Sequence, residues 1–564
     1  MTSGVVRRVN GPVVEVELNG LAMADLIEVG RHDLPAEVVA LRGDHATAQA
    51  YEYTGALAPG DPARSLGRPL SVRLGPGLTG QVFDGLLRPL GGAGTWLDLD
   101  SGRSSRARTW TFEPRAESGQ ELATGALLGE ITDAGPVAHR VLVPPGVAGG
   151  VQNIRGAGPC GQDEPIATVG GVDVPLFAWW PVRRPRPYRD RLRAAAPLIT
   201  GQRVLDALYP VVLGGTAAVP GGFGTGKTVL LQQIAKWCRA DVIVYVGCGE
   251  RGNELADVIT EFAELSDPRT GGRLTDRTVI IANTSNMPIM AREASIYAGA
   301  TVAEYYRDMG HDVVVIADST SRWAEALREF ASRTGALPAE EGYPAGLGSA
   351  LAAFYERAGQ VTTLSGWRGS VTIVGAVSPP GGDMTEPVTA HTQRFVRTLW
   401  TLDRELAYAR HYPAVGWTGS YCRDVSPVGA WYAGNGDPGW APRRARVIAV
   451  LAEADRLASL AELIGVTALP GHERMTLLGG RLLREAVLQQ SSLSDVDSFS
   501  APERTAALAD AVLGVIDRAQ ELVAAGVPPQ AIEEVDVSAL VRAREAPGVD
   551  EGAAAVRAAL EALA

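Results

Sequence analysis

The sequence predicts a multidomain α/β protein with β-strands first, a parallel α/β core in the middle and a helical domain last. Three observations predict this fold class. Closely spaced strand patterns lie near the N-terminus, strand and helix patterns alternate in the centre, and helical periodicity continues from about residue 440 onward. The length of 564 residues exceeds what one hydrophobic core supports and suits roughly three or four domains.

The first 70 residues are predicted to form a small β-barrel or a sandwich. Val14, Val16 and Leu18 alternate with glutamates, as expected for a strand with one buried face. A turn at residues 41–44, L-R-G-D, precedes another strand that is expected to run to about Tyr53. Short strands joined by Gly and Pro turns are typical of both architectures.

Residues 85–190 are rich in Gly, Pro and Arg and contain several short Val-rich pieces. They lead into the segment 181–193, whose sequence is P-V-R-R-P-R-P-Y-R-D-R-L-R. Its prolines favour an extended, stiff chain. We interpret this basic segment as a solvated linker, and the alternative is a patch that attracts phosphate.

The central part is predicted to be a parallel sheet with helices on both faces. Four apolar, β-branched runs are each followed by a polar or Gly-rich turn, and helix patterns such as Val302–Met309 and Ala324–Ala331 separate them. The four runs are Val242–Val246, Val279–Ile281, Val313–Ile316 and Val371–Val374.

The last part of the chain is rich in Ala, Leu and Arg and shows helical periodicity, which predicts a helical C-terminal domain. The periodic stretches are Arg444–Leu463, Leu477–Gln489, Glu503–Ala525 and Ala553–Leu563.

Composition excludes several functional classes. A net charge of −12 argues against a general nucleic-acid surface, and no run of about 18 apolar residues suggests a membrane span. The first twelve residues contain no apolar stretch, so no signal peptide is expected. The four widely separated cysteines are interpreted as small buried side chains in a reducing compartment.

The strongest motif is G-G-F-G-T-G-K-T at residues 221–228, which fits the phosphate-binding pattern G-x-x-x-x-G-K-[ST]. Its glycines allow backbone N–H groups to converge on phosphate oxygens, Lys227 can bridge the β- and γ-phosphates, and Thr228 can bind Mg²⁺. A Gly-rich loop without a ligand is the alternative, but Lys227 is one of only two lysines in the chain. The candidate nucleotide-binding residues here are Gly221, Gly222, Phe223, Gly224, Thr225, Gly226, Lys227, Thr228 and Val229.

Two further motifs place acidic residues at strand ends. Asp318, in D-V-V-V-I-A-D-S-T-S-R, could hold Mg²⁺ through water, or could instead cap a helix. Glu250, in V-G-C-G-E-R-G-N-E, could orient the water that attacks a γ-phosphate, and Arg251 could offset charge nearby. The alternative for this pair is a helix N-terminal glutamate followed by a surface arginine.

Arg292 is the remaining candidate from residue patterns. It lies in N-T-S-N-M-P-I-M-A-R-E-A-S-I-Y, which follows the predicted strand Val279–Ile281. From that strand it could reach the same sheet edge as Glu250. A surface arginine on a helix is equally consistent with its spacing.

These motifs closely resemble the catalytic A subunit of V-type and A-type rotary ATPases. Matching blocks extend from about residue 4 to about residue 500. The blocks that carry the resemblance are G-G-F-G-T-G-K-T, V-G-C-G-E-R-G-N-E, A-N-T-S-N-M-P-I-M-A-R-E-A-S-I-Y, I-A-D-S-T-S-R-W-A-E-A-L-R-E, S-P-P-G-G-D, P-L-I-T-G-Q-R-V-L-D and G-Q-V-F-D-G-L-L-R-P-L.

The resemblance implies an α/β P-loop NTPase core with a RecA-like parallel sheet, an N-terminal β-barrel, an inserted mostly-β domain and a C-terminal helical bundle. The expected domains are 1–70 for the barrel, 71–190 for the connector and insertion, 191–435 for the P-loop domain and 436–564 for the helical domain. It also implies an alternating hetero-hexamer with non-catalytic B subunits, central and peripheral stalks and a membrane sector that carries H⁺ or Na⁺. The complex would lie on the cytoplasmic face of the membrane, with no nucleic-acid partner.

The resemblance also assigns roles to individual residues. Lys227, Glu250, Arg251 and Arg292 would be catalytic, and Thr228 and Asp318 would hold Mg²⁺ bound with ATP or ADP. Tyr412, in R-H-Y-P-A-V-G-W, would stack on adenine, because a flat aromatic face accepts the base. An arginine of the neighbouring subunit would complete the site.

The sequence departs from the family at four positions. Thr225 replaces a Cys that many eukaryotic members carry, so disulfide control at that position is not expected. Leu493 replaces a second adenine-facing Phe, which is expected to weaken adenine affinity. Gly346 and Ala350 replace a Tyr and an Arg, and we interpret these changes as altered subunit contacts.

A catalytic subunit that hydrolyses or makes ATP is therefore the favoured function. A catalytically inactive nucleotide-binding subunit would be expected to lack Lys227 or Glu250, and both are present. A hexameric export ATPase fits the insertion at 85–190 and the G-E-R-G-N-E string less well. An RNA translocase fits the acidic charge balance less well.

Overall fold

The computed structural model describes residues 3–91, 109–333, 335, 337–545 and 549–563. The chain forms two compact units, each assembled from separate stretches of sequence. The first comprises Met1–Arg193, Ala240–Ser378 and Met384–Phe395, and the second comprises Ala194–Arg239, Pro379–Asp383 and Val396–Ala564.

The first unit begins with a closed six-stranded barrel, so of the two predicted architectures the barrel is the one that forms. The alternating Val14, Val16 and Leu18 are buried in an aliphatic core, and the last barrel strand pairs with the first. The fifth strand ends at Ala50, short of the predicted end near Tyr53. The strands are β1 (Ser3–Asn10), β2 (Val13–Glu17), β3 (Asp25–Val29), β4 (Leu34–Arg42), β5 (His45–Ala50) and β6 (Pro62–Pro69).

After the barrel come twelve short strands, most of which form two four-stranded antiparallel sheets with separate apolar clusters. The strands are β7 (Ser71–Leu74), β8 (Val82–Phe83), β9 (Trp110–Pro114), β10 (Glu121–Leu122), β11 (Leu127–Ile131), β12 (His139–Leu142), β13 (Gly149–Ile154), β14 (Gly158–Cys160), β15 (Pro165–Val169), β16 (Val172–Pro175), β17 (Ala178–Pro181) and β18 (Asp190–Arg191). One sheet has the order β10-β13-β15-β16 and the other β12-β11-β9-β14. Of the predicted insertion, residues 92–108 lie outside the described residues.

The central region alternates strands and helices, as predicted. Its strands are β19 (Thr216–Pro220), β20 (Val242–Glu250), β21 (Thr278–Thr284), β22 (Asp312–Asp318), β23 (Gly359–Thr362), β24 (Arg368–Val377), β25 (Thr398–Leu399) and β26 (Tyr421–Cys422). Its helices are α1 (Arg203–Leu208), α2 (Lys227–Trp237), α3 (Gly252–Glu264), α4 (Ile289–Asp308), α5 (Thr320–Arg333), α6 (Leu347–Tyr355), α7 (Pro387–Phe395), α8 (Arg404–Tyr408) and α9 (Val425–Gly434).

In the first unit, β24, β22, β20, β21 and β8 run parallel in that order. The four predicted apolar runs lie within β20, β21, β22 and β24, and nearly all their residues are buried because the sheet is covered on both faces. In the second unit, β19 is parallel to β25, and β25 is antiparallel to β26.

The C-terminal region is helical, as predicted. The predicted helix at Leu477–Gln489 is divided, because α11 ends at Leu482 and the chain continues as a π-helical turn at Leu483–Leu488. No helix among the described residues combines the length and apolar character needed to cross a bilayer. The helices are α10 (Trp440–Ile464), α11 (Gly471–Leu482), α12 (Pro502–Ala524), α13 (Pro529–Glu533), α14 (Ser538–Arg542) and α15 (Val549–Glu561).

The interpretation of residues 181–193 as a solvated linker is wrong for part of the segment. Arg184 and Arg189 are exposed, but Arg186 is buried, its Nε donates to Asp308 at 2.7 Å and its backbone N–H donates to Glu304 at 2.8 Å. The extended chain therefore lies along α4 and pairs with the acidic residues of that helix. These partners stand more than 100 residues further along the chain, out of reach of a local pattern.

Candidate functional site

The glycine-rich loop joins β19 to α2 in the second unit. Gly226 precedes the helix with φ +84°, a left-handed conformation that glycine adopts without strain. Inside the loop, the Thr225 hydroxyl donates to the Gly222 carbonyl at 2.8 Å, and the Lys227 ammonium donates to the Gly221 carbonyl at 2.8 Å. The loop is thus folded around its own lysine, at a helix N-terminus that favours anions.

Part of this loop is open to solvent. Phe223, Gly224, Thr228 and Val229 are exposed, whereas Thr225 is buried. The Thr228 hydroxyl is therefore accessible in the first turn of α2, where the sequence predicts a Mg²⁺ ligand.

Tyr412 lies beside the same loop, within the second unit. A Cβ atom added to Gly226 would stand 3.3 Å from Cε1 of Tyr412, so the ring passes directly over the glycine. Tyr412 as a whole is 42% exposed, so the residue is open to solvent next to the phosphate loop. This placement suits the predicted stacking on adenine.

Arg404 is a neighbour of the loop that sequence reasoning missed. A Cβ atom added to Gly222 would lie 3.5 Å from its Nη2, and one added to Gly382 would lie 3.7 Å away. Arg404 begins α8, and the motifs offered no signal for it because the contact depends on the fold of the second unit.

Glu250 ends β20 in the first unit, immediately after a β-bulge. Cys248 pairs with Asn283 of β21 and Glu250 pairs with Thr284, which leaves Gly249 as an extra residue on β20. The Glu250 carbonyl accepts a hydrogen bond from the Ser285 backbone N–H at 2.9 Å, and its side chain is half-buried. The backbone is thus fixed, and the residue as a whole is only partly buried.

Arg292 is the fourth residue of α4 and is 92% buried, so the alternative of a surface arginine is wrong. Its Nη2 donates to the Ser285 carbonyl at 2.8 Å, and its buried Nε has no hydrogen-bond partner among the described residues. A Cβ atom added to Gly249 would stand 3.0 Å from Cδ of Arg292. The bulge, Ser285 and Arg292 thus meet at the carboxyl ends of β20 and β21.

Asp318 ends β22 in the same unit and is buried. It accepts a hydrogen bond from the Tyr245 hydroxyl at 3.1 Å. Burial, together with the charge of Asp318, raises the pKa of Tyr245 well above its usual range, so the phenol stays protonated and acts as a donor. Tyr245 is a second residue that the motifs did not reveal, because it lies inside an apolar strand.

Arg251 is placed differently from the other candidates. Its side chain is 74% exposed and lies 3.7 Å from Glu254, one turn further along α3. Arg322, which no motif singled out, lies closer to the bulge, since a Cβ atom on Gly249 would stand 2.9 Å from its Cβ. The hydrogen bond to Glu325 is the main cause of a raised pKa for Arg322, and the charge of Glu250 adds to it.

The positions that depart from the family lie at or near the surface, apart from Thr225. Leu493 is 94% exposed, Gly346 precedes α6 and is exposed, and Ala350 is half-buried in that helix. The structure offers no reason for the changes at Gly346 and Ala350.

The two groups of residues suit different parts of one reaction class. In the second unit, a helix N-terminus with a lysine and an open aromatic ring suits the binding of a nucleotide. In the first unit, a partly buried glutamate at the end of β20 and a buried arginine at the start of α4 suit the positioning of water and the stabilisation of an oxyanion.

Four family models match successive parts of the chain. The nucleotide-binding domain of the ATP synthase alpha/beta family matches residues 201–422, and the beta-barrel domain of that family matches residues 6–67. The ATP synthase alpha/beta subunit barrel-sandwich domain matches residues 103–183. The C-terminal domain of V and A type ATP synthase matches residues 429–532.

Relatives match over nearly their full length. The V-type ATP synthase alpha chain of Nitrosococcus oceani is 48% identical over 557 residues, covering 96% of this chain and 93% of the relative. The V-type ATP synthase alpha chain of Anaeromyxobacter sp. (strain K) is 49% identical over 574 residues, covering 100% and 99%. The A subunit of the A-type ATP synthase from Haloferax volcanii is 45% identical over 543 residues, covering 95% and 93%.

The resemblance carried by the motifs and the predicted fold class are both confirmed by these matches. The closed barrel, the nucleotide-binding core and the helical C-terminal region each coincide with a matching family domain. The chain belongs to the family of catalytic A subunits, also called alpha chains, of V-type and A-type rotary ATP synthases.

Proposed function

We propose that residues 221–228 bind the phosphates of ATP or ADP and that Glu250 orients the water that attacks the γ-phosphate. As a member of its family, the chain is the catalytic subunit of a rotary complex that makes or hydrolyses ATP, coupled to ion transport by other subunits. The single observation that carries the role of Glu250 is its position at the end of β20, with a fixed backbone, directly after the Gly249 bulge that buried Arg292 packs against.

The remaining roles follow from chemistry and placement. Lys227 contacts the β- and γ-phosphates, backbone N–H groups of residues 221–229 surround the phosphate chain, and Tyr412 stacks on adenine. Arg292 stabilises the oxyanion that develops on the transferred phosphoryl group, because its buried Nε lacks a protein partner among the described residues. Arg251 offsets charge near the site, since it directly follows Glu250 and its side chain is exposed.

Mg²⁺ fits the donor set of the chain. Thr228 offers an accessible hydroxyl and Asp318 a carboxylate, which are the hard oxygen donors that Mg²⁺ prefers. Among the described residues no three His, Cys, Asp or Glu side chains cluster as a metal site, which suits an ion that takes most of its ligands from phosphate and water. When bound, Mg²⁺ neutralises charge on the phosphates.

The chain acts within a multi-subunit complex, as its family requires. We propose that its partners are non-catalytic B subunits in an alternating hexamer, stalk subunits and a membrane sector on whose cytoplasmic face the complex lies. The division into domains at 1–70, 71–190, 191–435 and 436–564 is part of the same proposal. Because an arginine of a B subunit completes the site, the isolated chain is expected to turn over ATP weakly. Equal turnover with and without B subunits would refute that arrangement.

Glu250→Gln tests the assignment of the water-orienting group. We expect the assembled complex with this variant to lose ATP hydrolysis while it binds nucleotide with unchanged affinity, because the amide keeps the size of the side chain but not its charge. Glu254→Gln is the matched control, since Glu254 is an exposed acid in the same motif. Turnover near that of the unsubstituted complex in Glu250→Gln would show that Glu250 has been misassigned.

A further inference from the structure

The segment 181–193 meets the barrel and helix α4 at one cluster, formed by buried Glu37, Tyr51 and Glu293 around Arg183, whose side chain is 36% exposed. Arg183 donates from Nη2 to the Glu293 carboxylate at 2.5 Å and from Nη1 to the Glu37 carboxylate at 3.1 Å. The Tyr51 hydroxyl donates to the same oxygen of Glu37. Glu37, Tyr51 and Glu293 are all buried, so one guanidinium fork holds two buried carboxylates.

Glu293 directly follows Arg292 in α4, so the cluster acts on the turn that carries this arginine. The Trp323 indole donates to the Glu293 carbonyl at 3.1 Å, and the Ser295 hydroxyl donates to the Arg292 carbonyl at 2.7 Å. The Cys248 thiol lies 3.5 Å from that carbonyl, and burial raises its pKa to about 12, so it remains a donor. A turn held at its backbone and at the Glu293 carboxylate has a fixed rotation about the helix axis.

Arg292 has no carboxylate partner of its own among the described residues. Among the described residues, the one hydrogen bond of its guanidinium goes to the Ser285 carbonyl, and its Nε is buried without a partner there. The position of its guanidinium therefore depends on the turn from which it extends. If Glu293 lost Arg183, its buried carboxyl group would lack a counter-charge, and the turn that carries Arg292 would lose the ion pair that holds it.

We propose that Arg183 is a positioning residue for Arg292. By holding Glu293, it fixes the first turns of α4 and with them the direction in which the Arg292 guanidinium extends toward the transferred phosphoryl group. The barrel takes part through Glu37 and Tyr51, which fix Arg183 from the other side. This inference rests on the proposed contact of Arg292 with phosphate.

The test measures the affinity of the assembled complex for two probes in equilibrium titrations, ADP alone and ADP with fluoroaluminate, an analogue of the transferred phosphoryl group. Binding is the readout because Arg292 variants are expected to hydrolyse ATP too slowly for inhibition to be measured. The ratio of the two affinities is the selectivity between the probes. Arg292→Ala is expected to weaken binding of the fluoroaluminate mixture and to leave binding of ADP unchanged. Arg183→Met is expected to do the same by about tenfold to hundredfold, since a displacement of 1 Å has effects on this scale. In an Arg292→Ala background, Arg183→Met is expected to change nothing further.

Two variants separate positioning from general destabilisation. Arg186→Gln removes another buried ion pair from the same segment, at the far end of α4, and should lower the thermal unfolding midpoint without changing the selectivity between the probes. Arg183→Lys keeps the charge but cannot bridge both carboxylates, so it should show a smaller loss of the same kind and serves if Arg183→Met fails to fold.

The outcomes distinguish the phosphate contact of Arg292 from the positioning role of Arg183. If Arg292→Ala leaves the selectivity unchanged, the proposed phosphate contact is wrong and the role of Arg183 is overturned with it. If Arg292→Ala lowers the selectivity but Arg183→Met does not, or if Arg183→Met still lowers it without Arg292, only the positioning role is overturned.

Discussion

Gly249 is the residue whose substitution tests the geometry at the end of β20 most directly. Its φ is +74°, and a Cβ atom there would lie 2.9 Å from Cβ of Arg322, 3.0 Å from Cδ of Arg292 and 3.2 Å from Nε of Arg292. Carbon atoms pack best at about 3.5 to 4.0 Å, so Gly249→Ala forces the strand end or the two arginines to move.

Two costs add in Gly249→Ala. The left-handed conformation costs an alanine about 1–2 kcal/mol, and the steric overlap adds about 1–3 kcal/mol. We expect the free energy of unfolding of the first unit to fall by about 3 kcal/mol. If the bulge relaxes, Glu250 moves with it, and a displacement near 1 Å lowers kcat by on the order of a hundredfold.

The assay combines the thermal unfolding midpoint with kcat for ATP hydrolysis in the assembled complex. Gly252→Ala is the matched control, because a Cβ atom at this first residue of α3 would come no closer than 4.0 Å to Thr284 and alanine favours the helix. Gly252→Ala should have the same thermal unfolding midpoint and the same kcat as the unsubstituted complex. A Gly249→Ala complex with kcat within twofold of the unsubstituted complex would refute the link between the bulge and Glu250.

Three further predictions concern the second unit. Tyr412→Ala should weaken nucleotide binding about tenfold in a nucleotide titration, because stacking on the base contributes about 1–3 kcal/mol. Tyr412→Phe should not weaken it, because the Tyr412 hydroxyl makes only a 3.4 Å hydrogen bond. Equal losses in both variants would contradict stacking. Burial, with Arg484 and Arg544 nearby, lowers the pKa of His411 to about 4 from its ordinary 6.5, so the unfolded chain binds more protons between these values. The free energy of unfolding should therefore fall by up to about 3 kcal/mol as pH drops from 6.5 to 4. His411→Gln should reduce the dependence of the thermal unfolding midpoint on pH in this range. An unchanged dependence in that variant would rule His411 out as the cause. Arg203 is fully buried and pairs with Asp497 at 2.6 Å, so Asp497→Ala leaves it without a counter-charge. The free energy of unfolding is expected to fall by about 3–5 kcal/mol. A fall below about 1 kcal/mol would contradict this expectation.

The sequence predicts this fold well wherever the determining interactions are local. The apolar runs of the parallel strands, the alternation of Val14 and Val16, and the helix periods each report burial within a few residues. The positions of Asp318 and Glu250 at strand ends are predictable for the same reason. The π-helical turn at Leu483–Leu488 gives no such signal, since its pattern is that of any helix.

Contacts between residues that are distant in sequence cannot be predicted from local patterns. The burial of Arg186 depends on Asp308, and the cluster at Arg183 depends on Glu37 and Glu293, none of which is a sequence neighbour. The burial of Arg292 likewise depends on how α4 packs against β20. A run of basic residues in the sequence predicts a solvated segment, because the sequence pattern does not show which carboxylates the fold places beside the arginines.

The interleaving of the two units has a consequence for biosynthesis. The first unit draws on nothing beyond Phe395, whereas the second needs Val396–Ala564, and β19 has no partner β25 until residues 398–399 have left the ribosome. The phosphate loop, although translated early, thus belongs to the unit that is completed last. No single cut in the chain would yield a fragment that contains all of the second unit and none of the first. Expression of the nucleotide-binding unit alone therefore requires its separate segments to be joined directly in a new chain, because truncation cannot isolate it.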